Sequence, residues 1–156
     1  MSTTYKNDIT AGEINALRKS MGWRQNHLEQ IEAELKGSAL VVAAYENSVA
    51  IGAVRLMWDG GGTAVIPSIL VAPEHQNRGV EQELLTRVFS FLTEKLKPGF
   101  GIQLDIRVWG NQKPVYENLG FQVSASEQRG IPMHICLTNQ IELTDAMYKQ
   151  MDFADK

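Results

Sequence analysis

The sequence contains a single cysteine, Cys136, among its 156 residues. One cysteine excludes a disulfide within the chain and a cysteine-rich zinc site. The three histidines have no spacing typical of a metal site, so we expect no bound metal. Lysine and arginine form no dense stripe, and the net charge is −3 at pH 7. The charge therefore gives no reason to expect binding to nucleic acid.

Long hydrophobic runs are also absent. No apolar segment approaches the roughly 20 residues that a membrane-spanning helix needs, and the N-terminal residues lack the charged and apolar regions of a secretory signal. Hydrophobic residues make up 44% of the sequence and charged residues 21%, as in a soluble globular protein. We therefore expect a single cytoplasmic domain over residues 1–156, without a membrane partner.

The hydrophobic periodicity predicts an α+β fold, with a mixed, mostly antiparallel sheet of about seven strands and with about four helices. A capping-box pattern at Thr10 and Glu13 opens the first predicted helix. A second helix covers about residues 26–36 and ends at Gly37; its predicted apolar face comprises Leu28, Ile31 and Leu35. The clearest helix follows Gly79; its apolar stripe comprises Val80, Leu84, Leu85, Val88, Leu92 and Leu96.

Strands are predicted between and after these helices, at residues 4–9, 39–44, 49–58, 63–71, 102–109, 121–126 and 133–137. Pro67 has no N–H group to donate, so it predicts a bulge or a break within the strand at 63–71. A short helix is predicted over residues 113–119, with Pro114 in its first turn. Another short helix is predicted from residue 144 onward.

The most informative segment is residues 68–85, SILVAPEHQNRGVEQELL, where an apolar run ends at Pro73, a polar turn follows and an amphipathic helix begins. The first N–H groups of a helix have no partner within the helix, and the helix dipole there favours an anion. Arg78 adds positive charge, and Gly79 lets a ligand approach the main chain. The segment therefore predicts a phosphate-binding turn, with an ordinary strand-to-helix turn as the alternative.

The same segment resembles motif A of the GNAT family of N-acetyltransferases, V-x-P-x-x-Q/R-x-x-G-x-G/A. Most of its positions match, but Glu81 stands where the family has glycine or alanine. The resemblance implies acetyl-CoA as co-substrate, with its pyrophosphate held by this turn. The cofactor-binding residues that it implies here are Ile69, Val71, Gln76, Asn77, Arg78, Gly79, Val80 and Glu81.

A second segment supports this resemblance. Residues 116–121, YENLGF, resemble the end of the family's motif B, Y-x-x-x-G-F. The resemblance implies that Tyr116 gives a proton to the departing thiolate, with a packed tyrosine at a helix edge as the alternative. It also implies a contact between Asn111 and the pantetheine arm, although Asn111 lies closer to Tyr116 than the family pattern places it.

Glu81 is the position where the first motif departs from the family. A carboxylate in the first turn of a helix is stabilised by the dipole by about 0.3–1 kcal/mol. Beside a phosphate it would instead be repelled by about 4 kcal/mol at an effective dielectric constant of about 20. Either the Glu81 side chain points away and CoA still binds, or the site is weakened. We expect that it points away.

Further residues of the expected site come from the resemblance alone. In the family, the strand before the turn separates from its neighbour, so that main-chain groups at Ile69 and Val71 would meet the acetyl carbonyl and the pantetheine. Trp23 lies in the region of the family's acceptor pocket, or serves as a half-buried anchor. The general base is not identified; the candidates are an ordered water or the side chains of Glu74, His75, Asp105 and Glu117.

The sequence therefore indicates an acetyltransferase that moves the acetyl group of acetyl-CoA to an amine of a small molecule. The amine would attack directly in a ternary complex, since Cys136 lies in a predicted strand away from the turn. The resemblance leaves a homodimer open. The alternative is a catalytically weak or inactive CoA-binding module that acts through a protein partner, and Glu81 and the irregular second motif support it.

Overall fold

The computed structural model describes residues 2–108, 112–123 and 133. The chain divides into two units, Met1–Val108 and Trp109–Lys156. All of the described strands lie in the first unit, and the last described helix lies in the second. The single domain expected over residues 1–156 stays a prediction.

The order of helices and strands follows the sequence-based expectation. The strands are β1 Thr4–Lys6, β2 Leu40–Glu46, β3 Val49–Trp58, β4 Thr63–Ile66, β5 Ile69–Val71 and β6 Gln103–Ile106. The helices are α1 Ala11–Ser20, α2 Leu28–Gly37, α3 Val80–Lys95 and α4 Lys113–Asn118, and a 3-10 turn covers Pro73–His75. No helix in the described part of the chain is both long and apolar enough to cross a bilayer.

The described strands form one mixed sheet in the order β1-β2-β3-β4-β6, and β5 also pairs with β3. The pairing of β4 with β6 is parallel and the others are antiparallel, which confirms the predicted fold class with six strands described. β4 and β5 both lie along β3, and Pro67 falls in the gap between them. The break predicted at this proline is therefore confirmed.

Helix α3 packs its apolar stripe against β2, β3 and β5. Five of the six predicted stripe residues are buried, and three of them, Leu84, Leu85 and Val88, are fully enclosed. Leu96 differs from the prediction, with 39% of its surface exposed. Its main chain is already extended because the helix ends at Lys95, so its side chain leaves the stripe.

Two sequence-based expectations, for Leu28 and for residues 121–123, are corrected by the structure. Leu28 is 52% exposed, because a side chain in the first turn of a helix leans toward the N-terminus, beyond the rest of the helix. Helix α2 ends at Gly37 as predicted, and the hydroxyl of Ser38, which follows the helix, donates to the Glu34 carbonyl at 2.7 Å. Residues 121–123 are not in a strand. The expectations for residues 124–126, 134–137 and 144 onward lie outside the described residues.

Candidate functional site

The register between β3 and β5 determines where the main-chain groups of β5 point. The Ala72 N–H donates to the Ile51 carbonyl at 2.8 Å, and these two residues lie opposite each other in the ladder. Bonded and non-bonded pairs alternate along an antiparallel ladder. Leu70 therefore bonds to β3, whereas the N–H and C=O groups of Ile69 and Val71 point away from it.

The outer edge of β5 lies beyond the point where the parallel pairing of β4 with β6 stops. The parallel pairing of β4 with β6 ends at the pair formed by Ile66 and Ile106. Within residues 2–108, β5 pairs with β3 alone. The main-chain groups of Ile69 and Val71 therefore line an open edge, as the family resemblance implies, and can pair with an extended ligand that carries amide groups.

The turn after β5 leads into the N-terminus of α3 through two residues in the left-handed conformation. Asn77 has φ 58° and Gly79 has φ 88°. No side chain caps the helix at Gly79, and an added Cβ on Gly79 would meet nothing within 4 Å. Successive N–H groups in such a conformation form a concave anion-binding surface. The first N–H groups of α3, including those of Val80 and Glu81, have no carbonyl partner within the helix and no side-chain cap at Gly79.

Gln76 has a structural contact that the sequence does not reveal. Its side-chain amide donates to the Val71 carbonyl at 3.0 Å, so it ties the turn to the outer edge of β5. A carbonyl oxygen has a second lone pair, so this contact leaves Val71 able to accept a further hydrogen bond. The predicted contact of Gln76 with a phosphate stays a prediction.

Arg78 and His75 interact within the turn. The exposed Arg78 guanidinium lies 3.4 Å from the His75 Nδ1 atom and 3.4 Å from the Glu74 carbonyl. The same Nδ1 atom lies 3.6 Å from the Glu46 carboxylate at the end of β2, and Thr3 donates to that carboxylate at 3.0 Å. Glu46 was not predicted as a site residue, because only the fold brings β2 beside this turn.

Glu81 is directed into the protein. It is 7% exposed, and its Oε2 atom has no hydrogen-bond partner among the described residues. Burial is the main cause that raises the pKa of Tyr5 in β1. The charges of Glu83, Glu46 and Glu81 raise this pKa further, and the charge of Arg87 lowers it. The Glu81 carboxylate therefore lies within electrostatic reach of β1. Its position leaves the space in front of α3 open.

The loop between α1 and α2 is held by two buried polar side chains. Asn15 donates to the Asn26 carbonyl at 2.8 Å and accepts from its N–H at 3.0 Å. Arg18 donates to the Arg24 carbonyl at 2.7 Å, and its guanidinium lies 5.7 Å from the centre of the Trp23 ring. Burial is the largest influence on the pKa of Arg18 and lowers it. Trp23 is itself 7% exposed, and its contact with an acceptor stays a prediction.

Tyr116 belongs to α4, in the second unit of the chain. It is 4% exposed, and its ring meets the edge of Phe121 with 6.1 Å between the ring centres. Its carbonyl accepts from the N–H groups of Leu119 and Phe121, both at 3.1 Å, which close the C-terminus of the helix. The YENLGF segment therefore folds as a compact helix end in which the rings of Tyr116 and Phe121 pack edge to face. The catalytic role of Tyr116 stays a prediction.

Some of the remaining candidates lie within the described part of the chain and one lies outside it. Asn111 lies outside the described residues. Among the candidate bases, His75 faces Glu46, Glu117 lies 3.9 Å from Lys113, and Asp105 accepts from Gln103 at 3.2 Å. No group of three or more metal-binding side chains occurs in the ranges that the structure covers.

Comparisons with known proteins cover most of the chain. A family model for the acetyltransferase (GNAT) domain matches residues 6–138. A histone acetyltransferase of Glycine max is 24% identical over 135 residues, or 80% of this chain, and the chain spans 57% of the length of that relative.

Two solved structures have the same fold. A protein of unknown function from meticillin-resistant Staphylococcus aureus has a TM-score of 0.76 at 20% identity, over 87% of this chain and 100% of that one. A GNAT acetyltransferase of Streptococcus pneumoniae has a TM-score of 0.69 at 18% identity, over 89% of this chain and 98% of that one. The fold, the open edge of β5 and the family match agree, and the chain belongs to the GNAT family of acetyltransferase domains.

Proposed function

We propose that this protein transfers the acetyl group of acetyl-CoA to an amine of a small molecule. The observation that carries the proposal is the continuity between the outer edge of β5 and the uncapped N-terminus of α3. One end of this surface offers main-chain groups for an amide-bearing chain, and the other offers N–H groups for phosphates. Acetyl-CoA has both features, since its pantetheine arm contains amides and ends on a pyrophosphate.

The chain's residues would hold this co-substrate in a definite order. The turn from Asn77 to Glu81 would receive the pyrophosphate, with Arg78 beside it. Main-chain groups of Val71 would pair with the pantetheine arm, and those of Ile69 would meet the acetyl carbonyl. The inward position of the Glu81 carboxylate is compatible with this arrangement.

The proposed reaction is a direct transfer. The neutral amine attacks the thioester carbon, a C–N bond forms and the C–S bond breaks; the nitrogen gives up one proton to solvent water, and the thiolate takes up a proton. An N–H group at the edge of β5 would stabilise the oxyanion that forms on the carbonyl oxygen. Free thiols have a pKa of about 8.5, and a tyrosine hydroxyl can donate the proton as sulfur leaves. The resemblance assigns that donor to Tyr116.

Binding of acetyl-CoA is the first test. Isothermal titration gives the dissociation constant, and a ligand at 100 times that concentration should add about 2.7 kcal/mol to the free energy of unfolding and raise the melting temperature. Release of free thiol with a panel of small amines and with a histone peptide then measures transfer and identifies the acceptor class. Absence of any thermal shift at millimolar acetyl-CoA would contradict the proposal.

The second test concerns Tyr116. Tyr116→Phe keeps the buried ring and its packing on Phe121 but removes the proton. We expect the turnover number to fall by about 10²- to 10⁴-fold, the usual range for a positioned acid, while the affinity for acetyl-CoA changes little. Steady-state kinetics on both forms measure this. Equal turnover would remove Tyr116 from the mechanism, and a parallel loss of binding would assign it to holding the co-substrate.

A second candidate function is a CoA-binding module that acts through a protein partner. The buried carboxylate at Glu81, where the family has a small residue, favours it. This candidate predicts a measurable dissociation constant for CoA without thiol release with any acceptor. Turnover with a small amine would exclude it.

A further inference from the structure

The Nδ1 atom of His75 has two neighbours with opposite requirements. It lies 3.4 Å from an Arg78 guanidinium nitrogen, which can only donate a hydrogen. It also lies 3.6 Å from a Glu46 carboxylate oxygen, which can only accept one when ionised. A neutral imidazole with its proton on Nε2 can accept from Arg78 through Nδ1, whereas a ring with a proton on Nδ1 can donate to Glu46; when both nitrogens are protonated, the ring also repels the guanidinium. One ring atom therefore serves one neighbour at a time.

We propose that His75 is a positioning residue of the phosphate turn. When neutral, it holds the Arg78 guanidinium back on the 3-10 turn; when protonated, it pairs with Glu46 and releases that guanidinium for an anionic ligand. The inference rests on the proposed function, because the anion in question is the pyrophosphate of acetyl-CoA. Histidine is suited to this role because it is the side chain that changes charge between about pH 5 and pH 8.

The surroundings of His75 hold the Glu46 side chain in place and leave the Arg78 side chain able to move. The side chains of His75 and Glu46 are 14% and 12% exposed, and Thr3 holds Glu46 in place at 3.0 Å. Arg78 is exposed and has two long contacts of 3.4 Å, one to His75 and one to the Glu74 carbonyl. Protonation of His75 therefore moves the guanidinium rather than the carboxylate.

The charges that face this cluster come from every neighbouring element. Those of the turn and of the β2 end are Glu46, Glu74, His75 and Arg78. Tyr5 of β1 senses Glu46 together with the α3 side chains Glu81, Glu83 and Arg87. Because α3 and β2 present more carboxylates than cations here, a released Arg78 guanidinium would offset the repulsion that these carboxylates exert on an anionic ligand.

The proposal predicts that binding strengthens as the pH falls. The probe is 3′-dephospho-acetyl-CoA, whose pyrophosphate keeps the same charge from pH 6 to pH 8, titrated by calorimetry. We expect the affinity at pH 6 to be about two- to fivefold higher than at pH 8, the effect of one partly exposed charge pair. In His75→Gln the affinity should not vary with pH. In Arg78→Gln it should be low and equally constant.

A matched control is His27→Gln. His27 is exposed at the N-terminus of α2 and caps no helix with its side chain. This variant should keep the pH profile of the wild type. Parallel profiles in the wild type and His75→Gln would overturn the proposal.

Nitrogen NMR of the ligand-free protein separates this inference from the proposed function. The Arg78 side-chain signals should shift with the same midpoint as the His75 ring, and the shift should vanish in His75→Gln. A coupled shift without any binding of the probe would support the positioning role and reject the acetyl-CoA proposal. Titration of His75 without a response from Arg78 would overturn the positioning role.

Discussion

The N-termini of α1 and α3 are built in opposite ways. At α1, the Thr10 hydroxyl accepts from the Glu13 N–H at 3.1 Å and the Glu13 carboxylate accepts from the Thr10 N–H at 2.9 Å. At α3, Gly79 provides no side chain and no cap. Uncapped N–H groups cost stability unless water or a ligand satisfies them. Helix α1 thus closes its own N-terminus, whereas α3 leaves its N-terminus open for an external acceptor.

The carboxylates at the two helix N-termini also differ in the hydrogen bonds that they accept. Hydrogen bonds from the Thr10 main chain, and then from other groups that include the Tyr45 hydroxyl, lower the pKa of Glu13 against the effect of its burial. Burial and the contact with Glu13 raise the pKa of Tyr45 to about 12. The carboxylate at α1 thus has several donors. The Glu81 carboxylate at α3 has an oxygen without a partner among the described residues.

Closing the open end should have the largest effect. Gly79→Val places a β-branched side chain at φ 88° and covers the N–H groups of α3. Two lost hydrogen bonds to charged phosphates, each about 1.5–3 kcal/mol, would weaken acetyl-CoA binding by about 10²- to 10⁴-fold. Calorimetry measures the change. Gly99→Val is the control, since Gly99 has φ 83° and open space around it, and it should keep the affinity.

Overpacking at Gly52, beneath the N-terminus of α3, should have the next largest effect. A Cβ at Gly52 would lie 3.1 Å from the Leu70 carbonyl and 3.2 Å from the Val80 side chain. Gly52→Ala should therefore destabilise the protein by about 1–3 kcal/mol, as overpacking does, and displace the start of α3. Urea unfolding measures this against Gly37→Ala, which meets nothing within 4 Å. An unchanged midpoint would show that β3 and α3 can separate freely.

Removing the cap of α1 should have a smaller effect, on stability rather than on acetyl-CoA binding. Thr10→Ala removes the hydroxyl that caps α1 and should cost about 0.5–2 kcal/mol of unfolding free energy. The affinity for acetyl-CoA should stay the same, because α1 closes on itself. Thermal unfolding and calorimetry give the two numbers. Weaker binding in this variant would mean that the two helix ends are not independent.

Removing the charge of Glu81, in the first turn of α3, should have the smallest effect. Glu81→Gln keeps the shape of the side chain and removes its charge, which should tighten acetyl-CoA binding about two- to fivefold, with a smaller gap at high salt. Glu83→Gln is the control, because Glu83 is 42% exposed and pairs with Arg87 at 3.0 Å. Equal effects of the two substitutions would show that the buried position of Glu81 is irrelevant.

Much of the fold could be predicted from the sequence because local patterns determine it. The Thr10 and Glu13 box begins α1 as predicted, the hairpin strand at 49–58 has the predicted bounds, and Pro67 interrupts the sheet. Two of the misses, Leu28 and Leu96, fall at helix ends, where a one-residue change in length decides exposure. Leu28 and Leu96 have the periodicity of their helices, but one is the first residue of α2 and the other follows the last of α3.

The site could be predicted only in outline. Gly79 and Asn77 carry a backbone signal in their own identities, since both residue types tolerate the left-handed conformation. The contact of His75 with Glu46 has no such signal, because a hairpin brings the two residues together from separate parts of the chain. The direction of the Glu81 side chain depends on the packing of α3 against the sheet, and no spacing rule reveals it.

The two prolines that flank β5 have a consequence for self-association. A strand with unpaired main-chain groups is a template on which another polypeptide can add itself, and long exposed edges promote aggregation. β5 covers only Ile69–Val71, and Pro67 and Pro73 on either side cannot donate to an added strand. An added strand could form too few main-chain hydrogen bonds here to remain bound. The protein can therefore keep a short unpaired strand edge without nucleating fibres.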